Sequence, residues 1–253
     1  MLALHAAFQF RLGAFEIARE KAEQALALLE PLRPLRDVGH ARLYLGAAWY
    51  GLGDLERSVD WFLAAAAAYQ EVGHAWGIGA ALDNAGYLEF LRGNLAAAET
   101  HLTRGLAIAQ QAGSRYLLTG LYDHLATLTA AQGDFSAALG YVAQCRQVLE
   151  ELDRPYIVAS LSLSLSQIAM QAGDLTAAEG YIDRALQVAR DTGNRLDLAR
   201  FLLQAGAVAM ACGDVAAARA AYAEATAVAQ EIHAEGLLAD ALAGLADCAS
   251  ATG

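Results

Sequence analysis

The sequence predicts an all-α solenoid of six 40-residue helical hairpins followed by a seventh first helix. Three observations predict it. A glycine recurs every 40 residues, a second break falls midway between those glycines, and columns of small residues repeat in the same register. Gly occupies positions 13, 53, 93, 133, 173 and 213, with no insertion between them. Asp or Asn follows at five of these places, as Asp54, Asn94, Asp134, Asp174 and Asp214; Ala14 is the exception. Gly supplies the left-handed residue that ends one helix, and the Asx side chain accepts from the free N–H groups of the next. An apolar run then begins at once, at Leu55, Leu95, Phe135, Leu175 and Val215.

The midway breaks fall at Gly73, Gly113, Asp153-Arg154-Pro155, Gly193 and His233. Each unit is therefore a pair of helices of about 15–18 residues joined by short turns. One small column reads Ala6, Gly46, Gly86, Ala126, Ser166, Gly206, Ala246; it lies in the first helices. Two more lie in the second helices. They read Ala25, Ala65, Gly105, Cys145, Ala185, Ala225, and Ala18, Ser58, Ala98, Ala138, Ala178, Ala218. Small side chains at fixed helical positions let helix axes approach closely, and the same placement in each unit repeats the same packing. The run Ser160-Leu161-Ser162-Leu163-Ser164-Leu165-Ser166 alternates with period two, which by itself means strand. The register puts it in the first helix of the fifth unit, and the long-range repeat outweighs the local pattern.

Composition agrees and narrows the function. The chain has 253 residues, 57% hydrophobic and 18% charged, which excludes an intrinsically disordered protein. Roughly a quarter is Ala, the best helix former. The net charge is -11, and no basic stripe exists to follow a phosphate backbone, so nucleic acid is excluded as a direct partner. Lys21 is the single lysine. Three widely spaced cysteines, Cys145, Cys212 and Cys248, fit a reducing compartment better than a disulfide framework. The N-terminus lacks a signal-peptide pattern and the apolar runs are too short to span a bilayer. The expected location is the cytoplasm, with no membrane partner.

The layout resembles the tetratricopeptide repeat, whose pattern is W-x2-L-G-x2-Y, then A-x3-F, then P. The second unit gives Arg42-x2-Leu45-Gly46-x2-Trp49 and Ser58-x3-Phe62; the sixth gives Ala218-x3-Tyr222. The opening Trp and closing Pro are missing, and the 40-residue unit exceeds the usual length of about 34. This long variant resembles the sensor arms of large bacterial regulators, the MalT-like and LuxR-type ATP-dependent activators, and is similar to kinesin light chain repeats. The resemblance implies a right-handed α-α superhelix spanning residues 1–253 as a single domain. It also implies a concave surface lined by the first helices, and a non-enzymatic scaffold that binds a protein or peptide as the interaction arm of a larger bacterial regulator. Two alternatives stay open, a sensor of a small ligand such as an oligosaccharide, and a self-association module.

First-helix positions that vary in chemistry beside the small column are the candidate partner-binding residues. They are Tyr44, Asp83, Asn84, Tyr87, Asp123, His124, Thr127, Gln167 and Gln204, a polar and partly acidic stripe. Such a stripe is either a solvated helix face or a groove for a peptide, a partner helix or a small polar ligand; its charge favours a basic or polar occupant. Trp76, Tyr116 and Tyr156 align at the 40-residue interval and are expected to pack between repeats.

Enzyme motifs are missing. There is no Gly-Lys pair for a P-loop, no His-Glu-x-x-His, no Cys-x-x-Cys and no Gly-x-Ser-x-Gly. The six histidines show no ligand spacing, so no metal or cofactor is expected. Asp83, Asp123 and His124 are the one cluster able to do acid–base work, and chance placement on a polar face accounts for them far better. The first helix starts about six residues short of full length on the repeat register. The last, with Leu237, Leu238, Leu242 and Leu245, has an apolar stripe and no following helix to cover it. Terminal repeats normally carry a polar outer face, so the segment is expected to belong to a longer protein or to pair with a second copy through its ends.

Overall fold

A computed structural model describes residues 2–32, 35–150 and 155–251. These residues form thirteen α-helices and no strand. The helices are α1 (Leu2–Arg11), α2 (Phe15–Leu29), α3 (Leu35–Gly51), α4 (Leu55–Glu71), α5 (Ala75–Leu91), α6 (Leu95–Gln111) and α7 (Arg115–Ala131). Then follow α8 (Phe135–Glu150), α9 (Pro155–Gln171), α10 (Leu175–Thr192), α11 (Arg195–Ala211), α12 (Val215–Glu231) and α13 (Glu235–Ala251). A short 3-10 turn, Glu30–Leu32, follows α2. The chain divides into two compact units, Met1–Leu128 and Thr129–Gly253, with the division inside α7.

Every glycine marked by the repeat has positive φ: Gly13, Gly53, Gly73, Gly93, Gly113, Gly133, Gly173, Gly193 and Gly213. A left-handed residue there lets the next amide reach back one turn and close the helix. Asp54 N–H donates to Trp49 O at 3.0 Å, and the Asp174 and Asp214 amides make the same bond at 2.9 Å. His233 does the glycine's work at φ 53, and the Ala234 amide still donates to Ala229 O at 2.9 Å. The Asp153-Arg154 break lies outside the described residues.

The Asx carboxylates then cap the next helix. Asp54, Asp134, Asp174 and Asp214 accept from the amides of Arg57, Ala137, Ala177 and Ala217 at 2.9–3.0 Å. Asn94 departs from the expectation. Its side chain makes no cap bond and its Nδ2 donates to Glu89 Oε2 at 2.6 Å. Glu89 is a buried carboxylate, ion-paired with Arg92 at 3.1 Å, and it takes the amide because a buried charge needs donors.

The small columns are where first and second helices touch. Ser58 Oγ donates to Gly46 O at 2.6 Å, and at the equivalent contact in the other unit Ser166 Oγ donates to Ala178 O at 2.9 Å. The hydroxyl sits on opposite helices in the two cases, yet it ties the same pair of positions. A large residue four places beyond the second-helix small residue fills the gap left by the first-helix glycine. Cβ atoms on Gly46, Gly86 and Gly206 would come within 2.9, 2.6 and 2.5 Å of Phe62, Leu102 and Tyr222. Ala246, in the last helix, is exposed, unlike the rest of its column among the residues whose burial is described.

The Ser160–Ser166 run lies within α9, as the register requires, and Ser162 and Ser166, four apart on one helix face, are buried. Trp76 and Tyr116 correct the packing expectation: they are 41% and 58% exposed. They sit in the first turns of α5 and α7. The Tyr156 side chain lies outside the described residues. No helix of the described residues is long and apolar enough to cross a membrane.

Candidate functional site

In the first unit, the first helices α1, α3 and α5 together with α4 leave a groove of about 430 Å³. Ala7 and Phe10 line it from α1, Leu43, Tyr44, Ala47 and Tyr50 from α3, Phe62 from α4, and Asn84, Tyr87 and Leu88 from α5. The repeat explains the assembly. Phe10 and Tyr50 occupy the same position of successive first helices, as do Tyr44 and Asn84, and Ala47 and Tyr87. Small Ala7 and Ala47 keep the space open where Tyr87 later fills it. Three of the nine candidates, Tyr44, Asn84 and Tyr87, thus share one groove. Asn84 is exposed, and its Nδ2 donates to Ala80 O at 2.7 Å.

Asp83 and His124 meet beside this groove. His124 Nδ1 lies 2.8 Å from Asp83 Oδ1, with the two side chains 24% and 16% exposed. Gly120, one turn before His124, gives the carboxylate room, since a Cβ there would lie 3.0 Å from Asp83 Oδ2. The Tyr87 ring stacks on His124 at 4.5 Å and 19°. Burial works against the imidazolium, but Asp83, through charge and hydrogen bond, and then Asp123 outweigh it and raise the His124 pKa above 6.5. Burial, with smaller contributions from Tyr50 and Asp123, raises the Tyr87 phenol above 10 and keeps it neutral.

The remaining candidates are placed differently. Asp123 is only 8% exposed. Thr127 Oγ1 donates to Asp123 O at 3.0 Å, a bond within its own helix. In the second unit, Gln204 is 7% exposed and its Nε2 donates to Ser166 Oγ at 3.2 Å. Gln204 and the exposed Gln167 line a separate groove of about 330 Å³ with Arg200, Tyr222 and Asp240. Sequence reasoning missed Phe10 and Tyr50. The signal was present as a column, Phe10, Tyr50, Phe90, Ala130, Met170, Met210, apolar throughout and aromatic only near the N-terminus.

Paired helices in a 40-residue register, glycine turns and a large residue seated against a first-helix glycine define a tetratricopeptide-type helical scaffold. The chain belongs to the family described as the MalT-like TPR region, whose model matches residues 1–233. Solved structures of the same fold include BtubC from P. vanneervenii, with a TM-score of 0.76 at 19% identity, covering 87% of this chain and 92% of that one. The Rap conjugation gene regulator of plasmid pLS20, in complex with the Phr* peptide, has a TM-score of 0.66 at 17% identity, covering 98% and 71%. A signal transduction ATPase from Pyrococcus horikoshii with a tetratricopeptide repeat sensor has a TM-score of 0.73 at 14% identity, covering 96% and 39%. No curated protein sequence matches the chain.

Proposed function

We propose that this chain is a non-enzymatic peptide-binding module, the interaction arm of a larger regulator, and that its groove in the first unit is the docking site. The observation that carries the reading is that groove: mostly apolar, aromatic-walled and flanked by a rigid carboxylate–histidine pair. Such a site offers apolar contact area with a few fixed polar groups, as ligand sites do. Tyr44, Asn84 and Tyr87 contact the peptide, and Asp83 with His124 hold the Tyr87 wall in place. The Rap regulator bound to its Phr* peptide and the ATPase with a repeat sensor support a peptide-binding arm on this scaffold. The 40-residue register runs unbroken through α7 and supports counting both units as one repeat domain.

A peptide library displayed on phage and selected against the chain tests this. The expected result is a family of sequences whose binding falls at least about ten-fold in Tyr44→Ala and Asn84→Ala. Recovery of no groove-dependent sequence overturns the reading. The volume of about 430 Å³ also fits a small molecule. An oligosaccharide panel read by thermal shift separates that second reading, since it needs no peptide.

A further inference from the structure

We propose that the groove of the first unit selects a cationic side chain, an arginine or lysine of the bound peptide, held against the rings of Phe10, Tyr44, Tyr50 and Tyr87. This rests on the peptide-binding reading and names the residue that the groove takes. Five aromatic side chains from four helices, Phe62 of α4 being the fifth, line the groove, and no basic side chain does. The acids near it are Asp83, paired with His124 behind the Tyr87 ring, and the buried Asp123.

The chemistry of a long basic side chain matches both parts of this surface. Its aliphatic stem lies along apolar wall such as Leu43, and its charged end meets the negative faces of the rings. A planar guanidinium also stacks on them. A glutamate offers the wrong sign to the ring faces, in a chain of net charge -11. An uncharged aliphatic side chain fills the volume but gains nothing from ring electrostatics.

Three capped pentapeptides, Gly-Gly-X-Gly-Gly with X arginine, norleucine or glutamate, are titrated into the full chain while the tyrosine ring resonances are followed by NMR. The arginine peptide is expected to bind about ten-fold more tightly than the norleucine peptide, with the glutamate peptide weakest. Tyr87→Leu and Tyr50→Leu should each abolish the advantage of arginine over norleucine. Tyr50 is 43% exposed, so its replacement keeps the test valid if Tyr87→Leu unfolds. Norleucine binding as tightly as arginine, no binding of the arginine peptide, or an arginine advantage that survives both variants overturns the proposal. The library selection separates the two failures. Groove-dependent sequences without a basic residue overturn the cationic preference and leave the peptide reading standing; no groove-dependent sequence overturns the peptide reading itself.

Discussion

Replacing Asp83 by Asn removes one charge and almost no volume, and the structure sets both the size and the pH dependence of the effect. The carboxylate lies 2.8 Å from His124 Nδ1 in a site where the two side chains are 24% and 16% exposed, so solvent screens the pair only partly. A hydrogen bond to a charged group contributes about 1.5–3 kcal/mol, which bounds the loss. Because Asp83 is the leading cause that raises the His124 pKa, the variant should return that pKa toward or below 6.5, where burial acts unopposed by Asp83. The sign follows from linkage. A folded-state pKa above the unfolded value gives stability that is complete below about 6.5 and is lost as pH rises through the folded pKa. The gap between wild type and Asp83→Asn should therefore be widest at pH 5.5 and narrow by pH 9. Urea unfolding at several pH values, with NMR titration of His124, measures both quantities. A gap that does not change with pH, or a wild-type His124 that titrates below 6.5, would refute the reasoning.

Gly206→Ala should destabilise the second unit by about 1–3 kcal/mol, because the new methyl would come within 2.5 Å of the Tyr222 ring, itself held against Gly244. Thermal unfolding reads this, and a neutral outcome would show that the ring swings away. His233→Gly should stabilise the chain by up to about 1 kcal/mol, since it relieves the one positive-φ residue among the described residues that is not glycine. The denaturation midpoint should rise, and a fall would count against strain at that turn. His74 caps α5 by accepting from Gly77 N–H at 3.1 Å, and burial with Arg36 and His40 lowers its pKa. Its contribution is present above about 6.5 and lost as pH falls through the lowered pKa, opposite in sign to His124. His74→Asn keeps an acceptor that cannot be protonated and should flatten the acid side of the stability profile; an unchanged profile would remove the cap from the account.

The site was legible only in part, and the reason is geometric. Tyr44, Asn84 and Tyr87 could be found by reading chemistry along first-helix columns, because those columns face the groove wherever the repeat places them. Asp83 and His124 belonged to the same stripe, but their bond joins α5 to α7 across 41 positions of sequence, and no column shows that two side chains satisfy each other. Gln204 reads as a groove residue by register and lines the second-unit groove, but the sequence does not show that it is largely buried with its amide donated to Ser166 Oγ. Phe10 and Tyr50 were not among the candidates because the search followed polar columns, and whether an aromatic column is covered is decided by what stands opposite.

The helical class, the 40-residue unit, the turns and the packing contacts between paired helices can all be read from the order of the residues. All of these are local or strictly periodic: a glycine that must be left-handed, a carboxylate that caps the next amides, a small residue wherever two helix axes touch. Which side chains share a groove, which acid answers which histidine, and which aromatics stay uncovered, such as Trp76 and Tyr116, emerge once the helices are packed. Those properties depend on side chains from different repeats meeting in space, and a repeat pattern specifies the positions that meet without specifying what the two residues then do to each other.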